Sequence, residues 1–429
     1  MPGKGGSVIC AITEERGATI DISDHGMVKV FASPRLPCAL PCPPAGSGLA
    51  PRGDPGTDAR PRAAAAAMPG ARVATNRTNP INQRYCAGAA DAVSLPPMCP
   101  APATPTPGSH ESPRVLSERV HTLGQDLLRR YGQRVHKLAI NAGFTCPNRD
   151  GTKGTGGCTF CNNQSFSPNA QEPPSVTEQI AAGRAVLARR TGARRFIAYF
   201  QAYTNTYDRI ERLRARYDEA LLIPDVVGLS VGTRPDCVPE AVLDLLAGYR
   251  AQGKEVWLEL GLQSADDQTL ARVHRGHGFA EFQNATRAAH RRGLKVCAHL
   301  IIGLPGEGRD AALWSLERVL NLGVEGLKVH PLHVVRHTRL ALDWERGDYV
   351  PLALDDYVSI CADLIEQTPP SVVFHRLTGT AAKSILLAPH WCAWKWAVLN
   401  RIEAELYRRG TRQGARCAHL EPPYLARTA

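Results

Sequence analysis

The chain has 429 residues, of which 43% are hydrophobic and 21% are charged, so most of it can bury a core. No run of 18 apolar residues occurs, and no apolar segment follows Met1, so neither a membrane-spanning helix, a membrane partner nor a secretory signal is expected. Thirteen scattered cysteines favour a reducing, cytoplasmic location with thiolates as metal ligands over a disulfide scaffold. The formal net charge of +11 permits an anionic partner without proving one.

Residues 1–113 differ in composition from the rest of the chain. They hold 18 of the 33 prolines and only two aromatic residues, Phe31 and Tyr85. No apolar periodicity lasts for the length of a helix, so this segment cannot bury enough surface to offset its chain entropy. We predict a disordered Pro/Ala/Gly-rich tail. Three origins of the tail remain open: a natural linker, a transit segment, or upstream sequence from a misassigned start codon, in which case a start at Met98 would leave the core intact.

Residues 114–429 alternate short apolar segments with amphipathic segments. The predicted strands are 138–142, 196–201, 226–231, 256–262, 296–302, 327–331 and 372–376. The predicted helices are 176–189, 208–221, 239–252, 280–292, 310–322, 355–366 and 391–409. Repeated strand–helix units predict parallel strands with right-handed crossovers. Six units are too few for a closed eight-unit barrel, so we predict an α/β fold with a partial (β/α)6 TIM barrel. Its core would span residues 114–340, followed by a C-terminal helical extension at 341–429.

Three cysteines follow the first predicted strand. Cys146, Cys158 and Cys161 form the pattern C-x11-C-x2-C. They lie at the carboxyl end of the strand, which is the active face in α/β barrels. Three thiolates can bind three irons of a [4Fe-4S] cluster and leave the fourth iron open to another ligand. Glycines in the segment 154–157 let the backbone approach such a bulky group closely.

Two other interpretations of these cysteines remain open. A structural zinc site needs a fourth Cys or His ligand, and His136 on the entering strand is the nearest candidate. A phosphate-binding loop is disfavoured because residues 154–157 lack the Gly-Lys-Ser/Thr ending. The zinc alternative would make the chain a binding module for an anionic or RNA partner.

Further segments complete a resemblance to a known family. They are residues 130–132, 199–207, 230–236, 258–264, 299–307 and 375–379. Together with the cysteine loop they resemble radical S-adenosylmethionine (radical SAM) enzymes. The long C-x11-C-x2-C form resembles the YhcC-like branch, a relative of the Elongator catalytic subunit.

The resemblance implies two cofactors, a [4Fe-4S] cluster and S-adenosylmethionine (SAM). It also implies an external electron donor, such as flavodoxin or ferredoxin, that reduces the cluster. Reductive cleavage of SAM would give methionine and a 5′-deoxyadenosyl radical, which abstracts hydrogen from an unidentified substrate. In such enzymes the cofactor supplies the difficult chemistry, while the protein orients it and excludes water.

The resemblance also indicates residues that contact SAM. Phe160 lies between two cysteines, where its ring would contact adenine or simply cover the cluster as an apolar lid. Thr204 and Asn205 follow the second strand, where many family members carry a Gly-Gly-Glu-type motif for the amino end of SAM. This chain lacks that motif, so a hydroxyl and an amide would take its place. The alternative is a simple turn.

Two later strands contribute the remaining predicted SAM contacts. Glu259 and Gln263 lie four apart on the fourth strand and therefore face one side. An acid facing a barrel interior needs a partner, either the cofactor or an internal ion pair, for example with Arg234. On the fifth strand, Ile301 resembles the family position whose backbone contacts adenine.

Substrate-side residues are predicted at strand ends and in the loops that follow them. They are Arg234, His299, His330, His333, His375 and Arg376. Several cationic or imidazole groups on one face indicate an anionic or polar substrate. Cys392 is a further thiol of interest, either a hydrogen donor or second-site ligand near the substrate or, as we favour, a helix packing residue.

The excess of basic over acidic residues bears on whether the substrate is RNA. Residues 114–429 hold 41 Lys and Arg against 32 Asp and Glu, but the basic pairs are dispersed. Most of these pairs lie at the C-terminal end of a predicted helix, where the helix dipole favours cations in any case. No RNA-binding motif with interleaved aromatic residues occurs. Because the family includes a tRNA-modifying branch, a small-molecule substrate and a tRNA substrate both remain open.

Overall fold

The computed structural model describes residues 18–22, 28–32, 115–162 and 173–417. The first two ranges are strands β1 (Ala18–Ile22) and β2 (Val28–Ala32), which form a two-stranded sheet of their own. The sequence analysis predicted no strand in the tail. Each of these strands has only five residues, and so short an apolar pattern does not stand out in a segment rich in Pro, Ala and Gly. Otherwise the predicted disorder and the start-codon alternative concern residues outside the described ranges.

The other described strands belong to a large sheet and a small one. They are β3 (Val135–Ile140), β4 (Arg195–Phe200), β5 (Val226–Thr233), β6 (Glu255–Gln263), β7 (Lys295–Ile302), β8 (Gly326–Pro331), β9 (Val334–Val335), β10 (Val373–Arg376) and β11 (Leu386–Ala388). Seven strands pair in parallel in the order β10-β8-β7-β6-β5-β4-β3, and β9 pairs antiparallel with β11. The large sheet curls into a half-barrel.

The predicted partial α/β barrel is confirmed. Six strand–helix units are present, and the seventh predicted strand joins the sheet as β10 at the edge beside β8. The first strand is the least accurate prediction. It begins three residues earlier, at Val135, and ends at Ile140, because residues 141 and 142 already belong to the loop that leads to the cysteines.

Ten α-helices accompany these strands in the described residues. They are α1 (Leu123–Tyr131), α2 (Val176–Thr191), α3 (Ile210–Leu221), α4 (Glu240–Ala251), α5 (Asp267–Arg272), α6 (Phe279–Arg291), α7 (Arg309–Leu320), α8 (Arg339–Glu345), α9 (Leu354–Gln367) and α10 (Lys395–Arg408). Six of the seven predicted helices are confirmed with ends within two residues. No helix in the described ranges is long and apolar enough to cross a bilayer.

The core lies between the sheet and these helices. Along β6, Leu258, Leu260 and Leu262 are fully buried and belong to the main apolar cluster. Successive side chains of a strand point to opposite faces, so the residues between these leucines face the interior of the half-barrel. The sequence alternation in β6 therefore separates a packing face from a face that can carry chemistry.

The C-terminal helix is shorter than predicted. Residues 390–393 form a 3₁₀ turn, in which Cys392 N donates to the Pro389 carbonyl at 3.1 Å, and α10 begins only at Lys395. Val398, Ile402 and Leu406 are spaced four apart and fully buried, so this face of α10 packs into the core next to α9.

Candidate active site

A cavity of about 230 Å³ lies at the carboxyl ends of the sheet strands. The loop after β3, which carries the cysteines, forms one wall, and the ends of β4 to β8 with the segment after β10 form the others. Seven of the nine predicted ligand and cofactor residues line it: Cys146, Cys158, Phe160, Cys161, Thr204, Gln263 and Ile301. The other two, Asn205 and Glu259, lie outside this lining.

All three cysteines of the motif are free thiols. Cys158 is buried, whereas Cys146 and Cys161 are partly exposed. Burial raises the pKa of the Cys161 thiol, and the neighbouring Cys158 raises that pKa further. Cys146 acts in the same direction, while Arg149 opposes it. The three sulfurs are thus close enough to interact electrostatically at one end of the cavity.

The spacing of these sulfurs bears on the choice between a cluster and a single zinc ion. Among the described residues, only Glu259, Cys297 and His299 bring three ligand atoms within 4.8 Å of one another. At least one pair of motif sulfurs is therefore farther apart than this. Tetrahedral zinc, with Zn–S bonds of about 2.3 Å, would hold its sulfurs about 3.8 Å apart. A [4Fe-4S] cluster binds each sulfur to a different iron, so the donor set fits the cluster better.

Hydrogen bonds and one close backbone approach shape the cysteine loop. Asn148 Nδ2 donates to the carbonyl oxygens of His274 at 2.8 Å and Arg275 at 2.9 Å. Gly157 N donates to the Asn148 carbonyl at 2.9 Å. Gly157 has a φ of +86°, and a Cβ there would lie 2.9 Å from Arg149 Nε. A side chain at position 157 would therefore strain the loop.

One side chain donates an N–H group to the Cys158 sulfur, and a second lies near it. Arg275 Nη1 donates to Cys158 Sγ at 3.6 Å. Asn148 Nδ2 lies 3.7 Å from the same sulfur, but its two hydrogens already serve the His274 and Arg275 carbonyls. The Arg275 guanidinium is held in place by the Gly261 carbonyl, which accepts from Nε at 3.2 Å. Hydrogen bonds to sulfur ligands tune the potential of a bound cluster. The motif does not predict Arg275 as a donor, because Arg275 lies 117 residues from Cys158 along the chain.

Three predicted SAM contacts occupy the cavity wall in different ways. Phe160 and Ile301 are partly buried and pack against an apolar cluster that includes Leu304, which suits both a lid and an adenine contact. Gln263, at the end of β6, has a φ of +83°. This left-handed conformation is unusual for a residue other than glycine, and such strain concentrates at functional sites.

The turn after β4 carries two more predicted SAM contacts and places them differently. Thr204 is buried and lines the cavity. Asn205 is fully buried, and its Nδ2 donates to the carbonyl oxygens of Phe200 at 3.1 Å and Gly232 at 2.7 Å. Asn205 therefore ties the end of β4 to β5. This is the structural turn that we considered as the alternative. The buried Asn205 Oδ1 has no hydrogen-bond partner among the described residues, and the contact of Asn205 with SAM stays a prediction.

Glu259 lies on the interior face of β6, four residues before Gln263, and is fully buried. Its Oε2 accepts from Lys328 Nζ at 2.9 Å and lies 2.7 Å from His299 Nε2. Its Oε1 accepts hydrogen bonds from Lys137 and Ser230. Both carboxylate oxygens are therefore occupied by protein groups.

This network corresponds to the internal ion pair that was the alternative for Glu259. Burial pushes the pKa of the Glu259 carboxyl upward, but Lys137 and Lys328 outweigh it and hold that pKa well below its usual range. The suggestion that Arg234 is the ion-pair partner of Glu259 is wrong. Its Nε pairs instead with Asp236 Oδ1 at 2.9 Å.

Five of the six predicted substrate-side residues line the cavity: Arg234, His299, His330, His333 and Arg376. The sixth, His375, is buried with its Nδ1 3.5 Å from Glu259 Oε1. Lys328 also lines the cavity, although the sequence analysis did not single it out. The alternation of Lys328 and His330 within an otherwise apolar strand is the pattern that could have indicated it.

Cys392 lies away from the cavity. It is fully buried in an apolar cluster with Val335, Ala381 and Leu386. Burial raises the pKa of its thiol to about 12, so the thiol stays protonated and unreactive at neutral pH. The favoured interpretation of Cys392 as a packing residue agrees with this position.

Sequence comparisons find two family matches that together cover most of the described chain. The Radical SAM superfamily matches residues 145–319, and the Radical_SAM C-terminal domain matches residues 324–408. The chain is 50% identical over 308 residues to protein YhcC of Escherichia coli strain K12, covering 72% of this chain and 99% of that protein. It is 38% identical over 307 residues to the uncharacterized protein YtqA of Bacillus subtilis strain 168, covering 71% of this chain and 94% of YtqA. The resemblance to the YhcC-like branch is thus confirmed.

Solved structures include the archaeal Methanocaldococcus infernus Elp3 with an N-terminal deletion. It aligns with a TM-score of 0.49 at 19% identity, covering 65% of this chain and 64% of that chain.

Proposed function

The chain belongs to the radical SAM superfamily, and we propose that it is an enzyme that reductively cleaves SAM to generate a 5′-deoxyadenosyl radical. Cys146, Cys158 and Cys161 would hold three irons of a [4Fe-4S] cluster. When bound, the cluster supplies the electron that breaks a C–S bond of SAM, and the resulting radical abstracts hydrogen from the substrate.

One observation carries this proposal. Three free thiols of a C-x11-C-x2-C loop line one cavity at the carboxyl ends of a parallel half-barrel. The remaining five described cysteines lie outside the lining of that cavity. A set of three thiolates leaves a fourth iron free for the amino and carboxylate groups of SAM.

The neighbouring residues have separate proposed roles. Phe160, Ile301 and Gln263 would orient SAM, since they line the cavity close to the cysteine loop. Thr204 would accept or donate a hydrogen bond at the same end. The apolar cluster behind Phe160 and Ile301 would exclude water from the reacting atoms.

The proposal also requires a reducing setting. All eight described cysteines are free thiols, which suits the cytoplasm. An external one-electron donor of the flavodoxin or ferredoxin type would reduce the cluster. The substrate would be a small molecule or a tRNA, and bulk tRNA retardation at low salt tests the second option directly.

The decisive experiment is anaerobic purification and reconstitution. We expect a brown protein with about four irons and four sulfides per chain. With dithionite it should release methionine and 5′-deoxyadenosine from SAM. Replacing Cys146, Cys158 or Cys161 by Ala should abolish both the cluster and SAM cleavage.

A matched control separates cluster ligation from general thiol loss. Cys417 is a partly exposed free thiol whose Sγ lies 3.2 Å from the Gln367 carbonyl. Cys417→Ala should therefore keep full iron content and cleavage activity. A colourless wild-type protein that retains one zinc per chain after reconstitution would refute the proposal in favour of the zinc-binding module.

A further inference from the structure

The part of the cavity built by β8 and β10 carries cationic and imidazole side chains. Lys328 and His330 on β8 and Arg376 at the end of β10 line it, and we call these three residues the cationic wall. No aspartate or glutamate from the described ranges lines the cavity. The wall therefore faces a space without a protein anion.

The charges in the half-barrel interior do not balance. Glu259 is shared between Lys137 and Lys328. The Arg376 guanidinium makes no salt bridge or hydrogen bond with any residue in the described part of the chain, although its backbone pairs with Lys328. Three cations thus stand against one carboxylate in this region. Enclosed charges are unfavourable unless they are paired, so an anion that enters the cavity would complete the arrangement.

Lys328 has a donor left for such an anion. An ammonium group offers three N–H donors, and two of them go to the Tyr199 hydroxyl at 2.5 Å and to Glu259 Oε2 at 2.9 Å. Burial lowers the pKa of Lys328 to about 8, and Arg376 acts in the same direction. The ammonium form therefore still prevails at neutral pH. Burial, together with the charges of Arg376 and Lys328, holds the pKa of His330 well below its usual range.

The loop after β10 brings the backbone to the same place. Gly379 and Thr380 line the cavity, and a Cβ on Gly379 would lie 2.6 Å from His330 Nδ1. Only glycine therefore permits this approach. Within the described ranges, the Gly379 and Thr380 amides donate to no protein acceptor. Two adjacent free amides beside a guanidinium are a suitable site for an oxyanion.

We infer that the cationic wall binds an oxyanion of the substrate, a carboxylate or a phosphate, with Arg376 as the principal donor. Lys328, His330 and the amides of the Gly379 loop complete the site. The inference rests on the proposed function and assigns a substrate class to the same cavity. It places the charged group of the substrate on the wall formed by β8 and β10, and SAM beside the cysteine loop.

SAM has a carboxylate of its own, so the two sources of an oxyanion must be separated. The test uses reconstituted, unreduced enzyme, because SAM then stays intact. Equilibrium dialysis measures the binding of radiolabelled inorganic phosphate and radiolabelled succinate at constant ionic strength, with and without saturating SAM. We expect about one site per chain for at least one probe, with an affinity that SAM changes less than threefold.

Substitutions then assign the site to the wall. Arg376→Gln should weaken binding of the probe at least tenfold, and Arg376→Lys should restore part of that loss because the charge remains. Should Arg376→Gln fail to retain its cluster, His330→Leu, which removes the imidazole N–H donor at a similar size, should weaken binding about fivefold. Arg401→Gln is the matched control, because Arg401 is an exposed arginine on α10 paired with Asp355. It should bind the probes as the wild type does.

Three results would overturn the inference. They are no binding of either probe to the wild type, equal binding by Arg376→Gln and Arg401→Gln, and mutual displacement of SAM and the probe. The last result would assign the wall to the SAM carboxylate. Iron content and SAM cleavage, measured on the same samples, judge the proposed function separately. The oxyanion site can fail in an active radical SAM enzyme, and it can be present in a protein that cleaves no SAM.

Discussion

The buried Glu259 network allows a quantitative prediction for Glu259→Gln. The substitution keeps the shape of the side chain but leaves Lys137 and Lys328 without their shared carboxylate. Breaking a buried ion pair by removing one partner costs about 3–5 kcal/mol, because an uncompensated charge stays inside. For a folded unit of about 300 residues with an unfolding entropy of about 2.1 cal/mol/K per residue, the melting temperature should fall by about 5–8 °C.

The loss of stability in Glu259→Gln should depend on pH, since Lys328 can release its proton. In the wild type, the pKa of Lys328 is about 8, below the value of about 10.4 in an unfolded chain. Such a depressed lysine makes stability rise with pH between the two values, because the unfolded state binds more protons. Without Glu259 the folded pKa of Lys328 falls further, so the rise begins at lower pH in the variant. The difference between the two proteins should therefore shrink from pH 7 to pH 9.

Thermal unfolding at pH 7, 8 and 9, followed by circular dichroism, measures this difference. Glu211→Gln is the matched control, because Glu211 is exposed and its ion pair with Arg209 spans 3.9 Å. Its melting temperature should stay within about 1 °C of the wild type, as expected for a surface pair. A loss below 2 °C for Glu259→Gln at pH 7, or a difference that grows toward pH 9, would refute the reasoning.

Two further substitutions address single contacts of the site. Arg275→Gln removes a charged N–H donor from Cys158, so the midpoint potential of the reconstituted cluster should fall by roughly 50 mV, given about 59 mV per tenfold change for one electron. An anaerobic redox titration followed by electron paramagnetic resonance measures this potential. An unchanged potential would contradict a tuning role for Arg275. Asn205→Ala removes the side-chain donor of the buried Phe200 and Gly232 carbonyls, of which Gly232 keeps the Asn205 backbone N–H, and should cost about 1–3 kcal/mol of folding stability. Its dissociation constant for SAM should stay within twofold, and a larger change would restore the predicted SAM contact of Asn205.

The sequence predicts the half-barrel well because its signals are local. Apolar runs such as residues 256–262 become the buried face of β6, and the three cysteines need only their spacing and the strand before them to be identified. The sequence of a single strand also predicts a shared face for Glu259 and Gln263 from their spacing, although β6 is irregular between Gly261 and Gln263. It does not show which of them lies deeper or which residues from other strands meet them.

The remaining features depend on strand order and therefore escaped prediction. Lys137 lies 122 residues from Glu259 along the chain, and Lys328 lies 69 residues from it. Both meet it only because β3, β6 and β8 curve around one interior. The contacts of Asn205 depend on strand order in the same way. Its Nδ2 bonds the end of β5 only because β5 lies beside β4, which the sequence does not show.

The division of the site between two parts of the chain separates its chemistry from its selectivity. The cysteine loop, Phe160 and Gln263 lie in the segment that matches the Radical SAM superfamily, whereas the cationic wall lies in the segment that matches the Radical_SAM C-terminal domain. β8 of the second segment pairs with β7 of the first, and β10 pairs with β8 at the edge of the sheet, which brings Arg376 to the cavity. Substitutions in the first segment should therefore affect SAM cleavage itself. Substitutions at Arg376 should instead weaken binding of the charged group of the substrate more than they weaken binding of SAM.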